Sequence, residues 1–227
     1  MTPSFSSFTP PQSDCRLCPR LHDFLKVHAK AHPEWHNAPV DAMGSLEARI
    51  LIVGLAPGLK GANATGRPFT GDSAGGFLFE MLSRFGLAHG SYGGHAGDGV
   101  TLEDVRITNA IRCVPPQNKP TAAETHNCRP FLASEIMAMP NIKVILALGR
   151  LAHDAVLRTT GCRGADYPFA HASQHRISNK TAGGKDRDLH LISSYHCSRY
   201  NTQTRRLTDD MFYNIFSIIM NEMNLIV

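Results

Sequence analysis

Four short apolar runs constrain this chain more than any other feature: residues 50–53 (ILIV), 105–108 (VRIT), 144–148 (VILAL) and 189–192 (LHLI). Each is nearly continuous rather than alternating, which is how strands covered on both faces read. Helical patterns separate them. Phe77, Leu78, Met81, Leu82 and Phe85 recur at helical spacing over 74–85. Thr121 and Glu124 form a capping-box pair ahead of a helix over 121–139. Segments 149–157 and 202–223 also read as helices. Strand and helix therefore alternate four times, so the expected fold is α/β, a doubly wound sheet with helices on both faces.

A length of 227 residues allows one large domain or two small ones, and 42% hydrophobic content excludes general disorder. No 18-residue apolar run exists to span a bilayer. Residues 1–14 are rich in Ser, Pro and Thr, without a cationic start and apolar stretch. They read as a disordered lead-in and not a signal peptide, which makes a cytosolic protein the expectation. A formal charge of +4 with twelve His is compatible with a polyanionic partner without demanding one. Two further stretches, 90–99 and 179–187, are Gly-rich or charged and read as mobile surface loops.

Six cysteines stand at 15, 18, 113, 128, 162 and 197. In a reducing compartment they need a cause other than disulfides. Cys15 and Cys18 form a C-x-x-C pair, and Cys113 and Cys128 offer two further thiols. Four such donors suit tetrahedral zinc or an iron–sulfur cluster. The competing reading is that Cys113 and Cys128 are ordinary buried thiols. Cys162 and Cys197 fall outside the pattern and read as free.

Ligands of doubly wound sheets bind at the carboxyl ends of strands. The first such loop runs from Gly54 through Pro57 and Gly58 to Gly71 and Asp72. Glycines there let backbone N–H groups approach a ligand, but the pattern is neither a P-loop nor G-x-G-x-x-G. Asp72 is equally placed to cap the following helix. Phe69 reads in isolation as a core anchor, with an exposed stacking platform as the alternative. Asn109 ends the second strand, where its amide could read a base edge or stabilise a turn. His196 follows the fourth strand, with Arg199, Arg205 and Arg206 as phosphate partners or a solvated helix start.

Together these segments resemble the uracil-DNA glycosylase superfamily, in its iron–sulfur-containing family 5 branch. The similarity rests on GLAPG at 54–58 with GRPFTGD at 66–72, on TNA at 108–110 followed by Cys113, and on YHCSRYNT at 195–202. The last resembles His-Pro-Ser-x-x-Asn with Cys197 in place of Pro. Family 4 carries a Glu where this chain has Leu55, which favours family 5.

The resemblance spans about residue 15 to the last helix. It implies one domain over 15–227, a three-layer α/β/α sandwich around a short, mainly parallel four-stranded sheet. It implies a monofunctional glycosylase that hydrolyses the N-glycosidic bond of uracil, and of hypoxanthine or other deaminated bases, in DNA. Asp72, Asn109 and His196 would be catalytic. Gly54, Ala56, Pro57, Gly58, Phe69 and Gly71 would join Asn109 and His196 around the flipped base. Arg67, Ser198, Arg199, Arg205 and Arg206 would contact DNA. Cys15, Cys18, Cys113 and Cys128 would hold a [4Fe–4S] cluster, zinc being the second choice. The expected setting is a monomer in a prokaryotic cytoplasm, on nucleoid DNA. A metal-stabilised nucleic-acid-binding module without catalysis is the rival reading. A hydrolase of small nucleotides would need phosphate-cradling or metal-binding carboxylates, and the strand mouths supply only Asp72.

Overall fold

A computed structural model describes residues 8–180, 184 and 186–224. In chain order its elements are α1 (Pro19–Ala31), β1 (Ile50–Gly54), α2 (Ala62–Thr65), α3 (Ser73–Arg84), β2 (Ala88–His89), β3 (Thr101–Leu102), β4 (Val105–Asn109), α4 (Ala122–Ala138), β5 (Val144–Leu148), α5 (Arg150–Thr160), β6 (Gln174–Lys180), β7 (Asp186–Ser194), α6 (Arg199–Gln203) and α7 (Asp209–Glu222).

The sheet order is β4-β1-β5-β7-β6. β4, β1, β5 and β7 run parallel, and β6 adds to the edge antiparallel to β7. Successive side chains of a strand point to opposite faces, and β1 shows what that does here. Ile50 and Ile52 join one core with Leu78, Phe79 and Leu82 of α3 and Phe212, Phe216 and Ile219 of α7. Leu51 and Val53 join the other with Leu132 and Ile136 of α4 and Ala152 and Val156 of α5. β5 divides the same way, Val144, Leu146 and Leu148 against Ile145 and Ala147. This gives the three layers, and it explains why the strands read as unbroken apolar runs.

The expected four strands are five. β6 (QHRISNK) is polar and alternating because it lies at an edge, so it lacks the apolar signature of the others. Its pairing with β7 reaches Asn179↔Arg187 and Lys180↔Asp186. The ends of the expected mobile loop 179–187 are therefore hairpin strands, and 181–183 and 185 lie outside the described residues. The helix expected over 202–223 is two, because Thr208 caps α7 by accepting from the Met211 N–H and places Asp209 and Asp210 in its first turn.

Within the expected lead-in 1–14, residues 8 and 11 are packed while 9, 10 and 12–14 are exposed. Phe8 lies under the Arg106 guanidinium, Pro11 is buried, and the Gln12 carbonyl accepts from the Cys15 N–H at 3.0 Å. Residues 1–7 lie outside the described set. α1 buries Leu21 and Leu25, and Leu21 packs with Ile111, Cys128 and Phe131, which clamps the N-terminal segment onto the chain after β4.

Candidate active site

The carboxyl ends of β1, β4 and β7 open into one cavity of about 340 Å³. Ala56, Pro57, Gly58, Phe69, Asp72, Asn109, His196, Ser198 and Arg199 all line it. Leu55, Ala62, Ser73, Ala74 and Asn118 complete the wall and were missed from sequence. Asn118 carried a signal, lying in the polar loop after β4. Its left-handed φ of 56° beside Gln117 at 56° turns that loop back to the cavity mouth.

Gly54 lies under the floor. A Cβ there would stand 2.4 Å from Asn109 Oδ1 and 2.8 Å from Phe69 Cζ, so only glycine lets both side chains settle into the base of the cavity. Phe69 is buried, yet it forms a wall and sits at a left-handed φ of 50°, unusual for a bulky residue. Tyr92 holds that conformation, its hydroxyl donating to the Phe69 carbonyl at 3.2 Å and accepting from the Gly71 N–H at 3.3 Å. The Gly71 amide, expected to face substrate, is thus already engaged. Both readings of Phe69 hold at once: it is a core residue with one face on the cavity.

Asp72 is also both things. Its Oδ1 accepts from the Ala74 and Gly75 amides, each at 3.1 Å, and caps α3. Its Oδ2 faces Gly58 and Gly61, where an added Cβ would lie 3.3 and 2.8 Å away. One oxygen fixes the side chain and the other remains at the cavity wall. His196 stacks on Phe69 with ring centroids 5.9 Å apart. Burial pushes its pKa below the ordinary histidine value, and the Asp72 carboxylate only partly opposes this. The imidazole is therefore neutral at neutral pH. The Asn201 amide donates to the His196 carbonyl at 2.8 Å. Cys197 turns inward, fully buried, with Sγ 3.6 Å from the Ala74 carbonyl, so it ties the His196 loop to the helix that Asp72 caps.

Arg67 is not available to DNA. Its guanidinium forms a fork-like pair with Asp98, both contacts 2.6 Å, with side chains 8% and 2% exposed. Its Nε donates to Thr70, and its cation faces Phe79 and Tyr92. This pair also anchors the 90–99 excursion, read from sequence as mobile. Ser198 caps α6, Arg199 and Arg205 are exposed, and Arg206 lies over the Tyr195 ring at 4.7 Å.

Cys15, Cys18, Cys113 and Cys128 line a second, smaller and mostly apolar cavity between α1 and the segment after β4. Burial is the main force raising the pKa of Cys18, Cys113 and Cys128, and the neighbouring cysteines add to it; Cys128 reaches about 11. A bound cation reverses that bias and takes the thiols as thiolates. The Arg112 N–H reaches Cys128 Sγ at 3.4 Å, and the Asn127 amide Cys18 Sγ at 3.9 Å, the N–H···S contacts that support ligated sulfur. The donor set therefore fits a four-thiolate group. Among the described residues, no group of three or more His, Cys, Asp or Glu is gathered closely enough to hold a metal ion.

The family described as the uracil DNA glycosylase superfamily matches residues 42–219. This chain belongs to the uracil-DNA glycosylase superfamily. Within this superfamily it is 42% identical to a type-5 uracil-DNA glycosylase of Thermus thermophilus, over 88% of this chain and 90% of that one. A type-5 uracil-DNA glycosylase of Mycobacterium tuberculosis is 39% identical, over 90% of this chain and 76% of its own. Pyrobaculum aerophilum supplies both branches. Its type-5 protein is 38% identical over 86% of this chain, and its type-4 protein 35% identical over only 63%. The chain therefore falls with the type-5 branch.

Proposed function

We propose that this superfamily member is a monofunctional, monomeric DNA glycosylase that releases uracil, and deaminated purines such as hypoxanthine, by hydrolysing the N-glycosidic bond. The reading is carried by one observation: Asp72 and Phe69 from one loop, Asn109 from a second segment and His196 from a third share one cavity. A base inside a duplex cannot be reached there, so the substrate nucleotide must be everted. Phe69 offers a face for the base to stack on, and Asn109 offers an amide to its hydrogen-bonding edge.

Bond cleavage sends electrons to the base and leaves the sugar cationic. A neutral His196 donates one N–H to the base carbonyl and holds the leaving anion. The free Asp72 Oδ2 orients a water and balances the sugar cation. No lysine stands among the lining residues, so hydrolysis proceeds without a Schiff base and the product is an intact abasic site. Exposed Tyr200, on α6 beside Arg199, is the ring that fills the vacated stack, with Arg205 and Arg206 on phosphates.

The four cysteines would hold a [4Fe–4S] cluster, a structural group clamping α1 and the loop carrying Asn118. Absorbance near about 400 nm with iron in a metal assay supports it, and colourless zinc protein refutes it.

The test is alkali cleavage of oligonucleotides carrying uracil or hypoxanthine, single- and double-stranded. Strand scission only after alkali is expected, with His196→Ala slower by roughly 10²–10³-fold. Salt-sensitive binding without base release would instead favour a binding module.

A further inference from the structure

The strand that delivers His196 loses its partners just before the cavity. β6 pairs with β7 as far as Gln174↔Ile192, and two more bonds follow, Ala172 N–H to Ser193 O at 2.8 Å and Ser193 N–H to Ser173 O at 3.0 Å. On the other edge the Gly149 N–H donates to the Ser194 carbonyl at 2.8 Å. The next amide, Tyr195 N–H, is met by a side chain: it donates to His171 Nδ1 at 3.2 Å. The same ring stacks on the Tyr195 phenol ring, centroids 5.1 Å apart.

A backbone N–H can only donate, so His171 Nδ1 must carry its lone pair and the proton must sit on Nε2. Nε2 is buried near the Met211 backbone of α7 and makes no full hydrogen bond. The Ser194 hydroxyl, 3.4 Å from Nδ1, spends its proton on the Tyr195 carbonyl at 2.8 Å. Protonating Nδ1 would turn one N–H against another and free the amide one residue before His196.

We propose that His171 is a positioning residue for His196: its neutral, Nε2-protonated ring grips the Tyr195 amide and sets where the His196 imidazole enters the cavity. Burial disfavours the charged ring, and its neighbours do little to restore it. They are the Ser194 hydroxyl, the Tyr195 phenol, the Met211 backbone and, across the Tyr195 ring, Arg206. The grip therefore holds at neutral pH and fails on acidification.

The inference rests on the glycosylase reading, and two variants separate it from simple misfolding. His171→Asn keeps an acceptor where Nδ1 stands but does not titrate, and His171→Leu removes the acceptor. With uracil-containing duplex, His171→Leu should lose roughly 10- to 100-fold in kcat with KM nearly unchanged. His171→Asn should recover most of that loss and keep its rate further into acid than the parent, over about pH 5 to 8. Nitrogen-15 NMR of the parent protein should show a neutral His171 with the proton on Nε2. A leucine variant within about twofold of the parent, an asparagine variant no better than leucine, or a proton on Nδ1 would each overturn the proposal. A parent protein that releases no uracil would remove the glycosylase reading instead, and the NMR tautomer would still decide the Tyr195 contact.

Discussion

At the scale of single residues, Asp72 shows how one side chain serves structure and chemistry. Because Oδ1 caps α3 and Oδ2 faces the cavity, the two roles can be separated. Asparagine is an equally good cap but carries no charge. Asp72→Asn should therefore melt like the parent while losing roughly 10²–10³-fold in single-turnover uracil release. An equal loss of stability would make the carboxylate a cap alone. From sequence, both readings of Asp72 stood open because a cap and a water-orienting carboxylate look alike in one dimension. Phe69 was ambiguous for a related reason: its left-handed backbone, which turns a core ring toward the cavity, leaves no trace in residue type.

At the scale of elements, legibility tracked burial. Strands covered on both faces announced themselves, and Thr121 with Glu124 forms the expected capping box of α4. β6 and α1 were missed because an edge strand and a helix burying only Leu21 and Leu25 carry thin apolar patterns. The anchor of the 90–99 excursion is invisible in sequence because it is a distant partner: Asp98 holds Arg67 across 31 positions. That guanidinium keeps the Asp98 carboxyl well below the usual range. Arg67→Met would strand a buried carboxylate and should cost roughly 3–5 kcal/mol in urea unfolding. The salt dependence of DNA binding should not change. A reduced salt slope with native stability would return Arg67 to the DNA surface. Tyr200→Ala on α6 should slow release from duplex far more than from single strands, since only the duplex has a gap to fill. Equal slowing on both would contradict the wedge.

At the scale of the whole molecule, the histidines set the acid limit. His153, His171, His190 and His196 are each held below their ordinary pKa, chiefly by burial. An unfolded chain therefore takes up protons below about pH 6.5 that the folded chain refuses. Their contribution is complete above that pH and is lost as the pH falls toward the lower folded values. Each refused proton steepens the loss by about 1.4 kcal/mol per pH unit. Urea midpoints should be flat from about pH 8 to 7 and fall steadily below about pH 6.5. A midpoint that rose on acidification would contradict the burial of these rings.

The central claim is that one cavity at three strand ends reads and releases a base, and Gly54, beneath its floor, tests it without replacing any of the lining side chains. Gly54→Ala would place a methyl 2.4 Å from Asn109 Oδ1 and 2.8 Å from Phe69 Cζ. Those side-chain ends can shift, so the fold survives, but they are the atoms expected to hold the base. The decisive measurement is single-turnover release of labelled uracil by parent and Gly54→Ala, beside their melting curves. Rapid release by the parent, near-complete loss in the variant and similar melting are predicted. A variant that releases uracil at the parental rate would contradict the account.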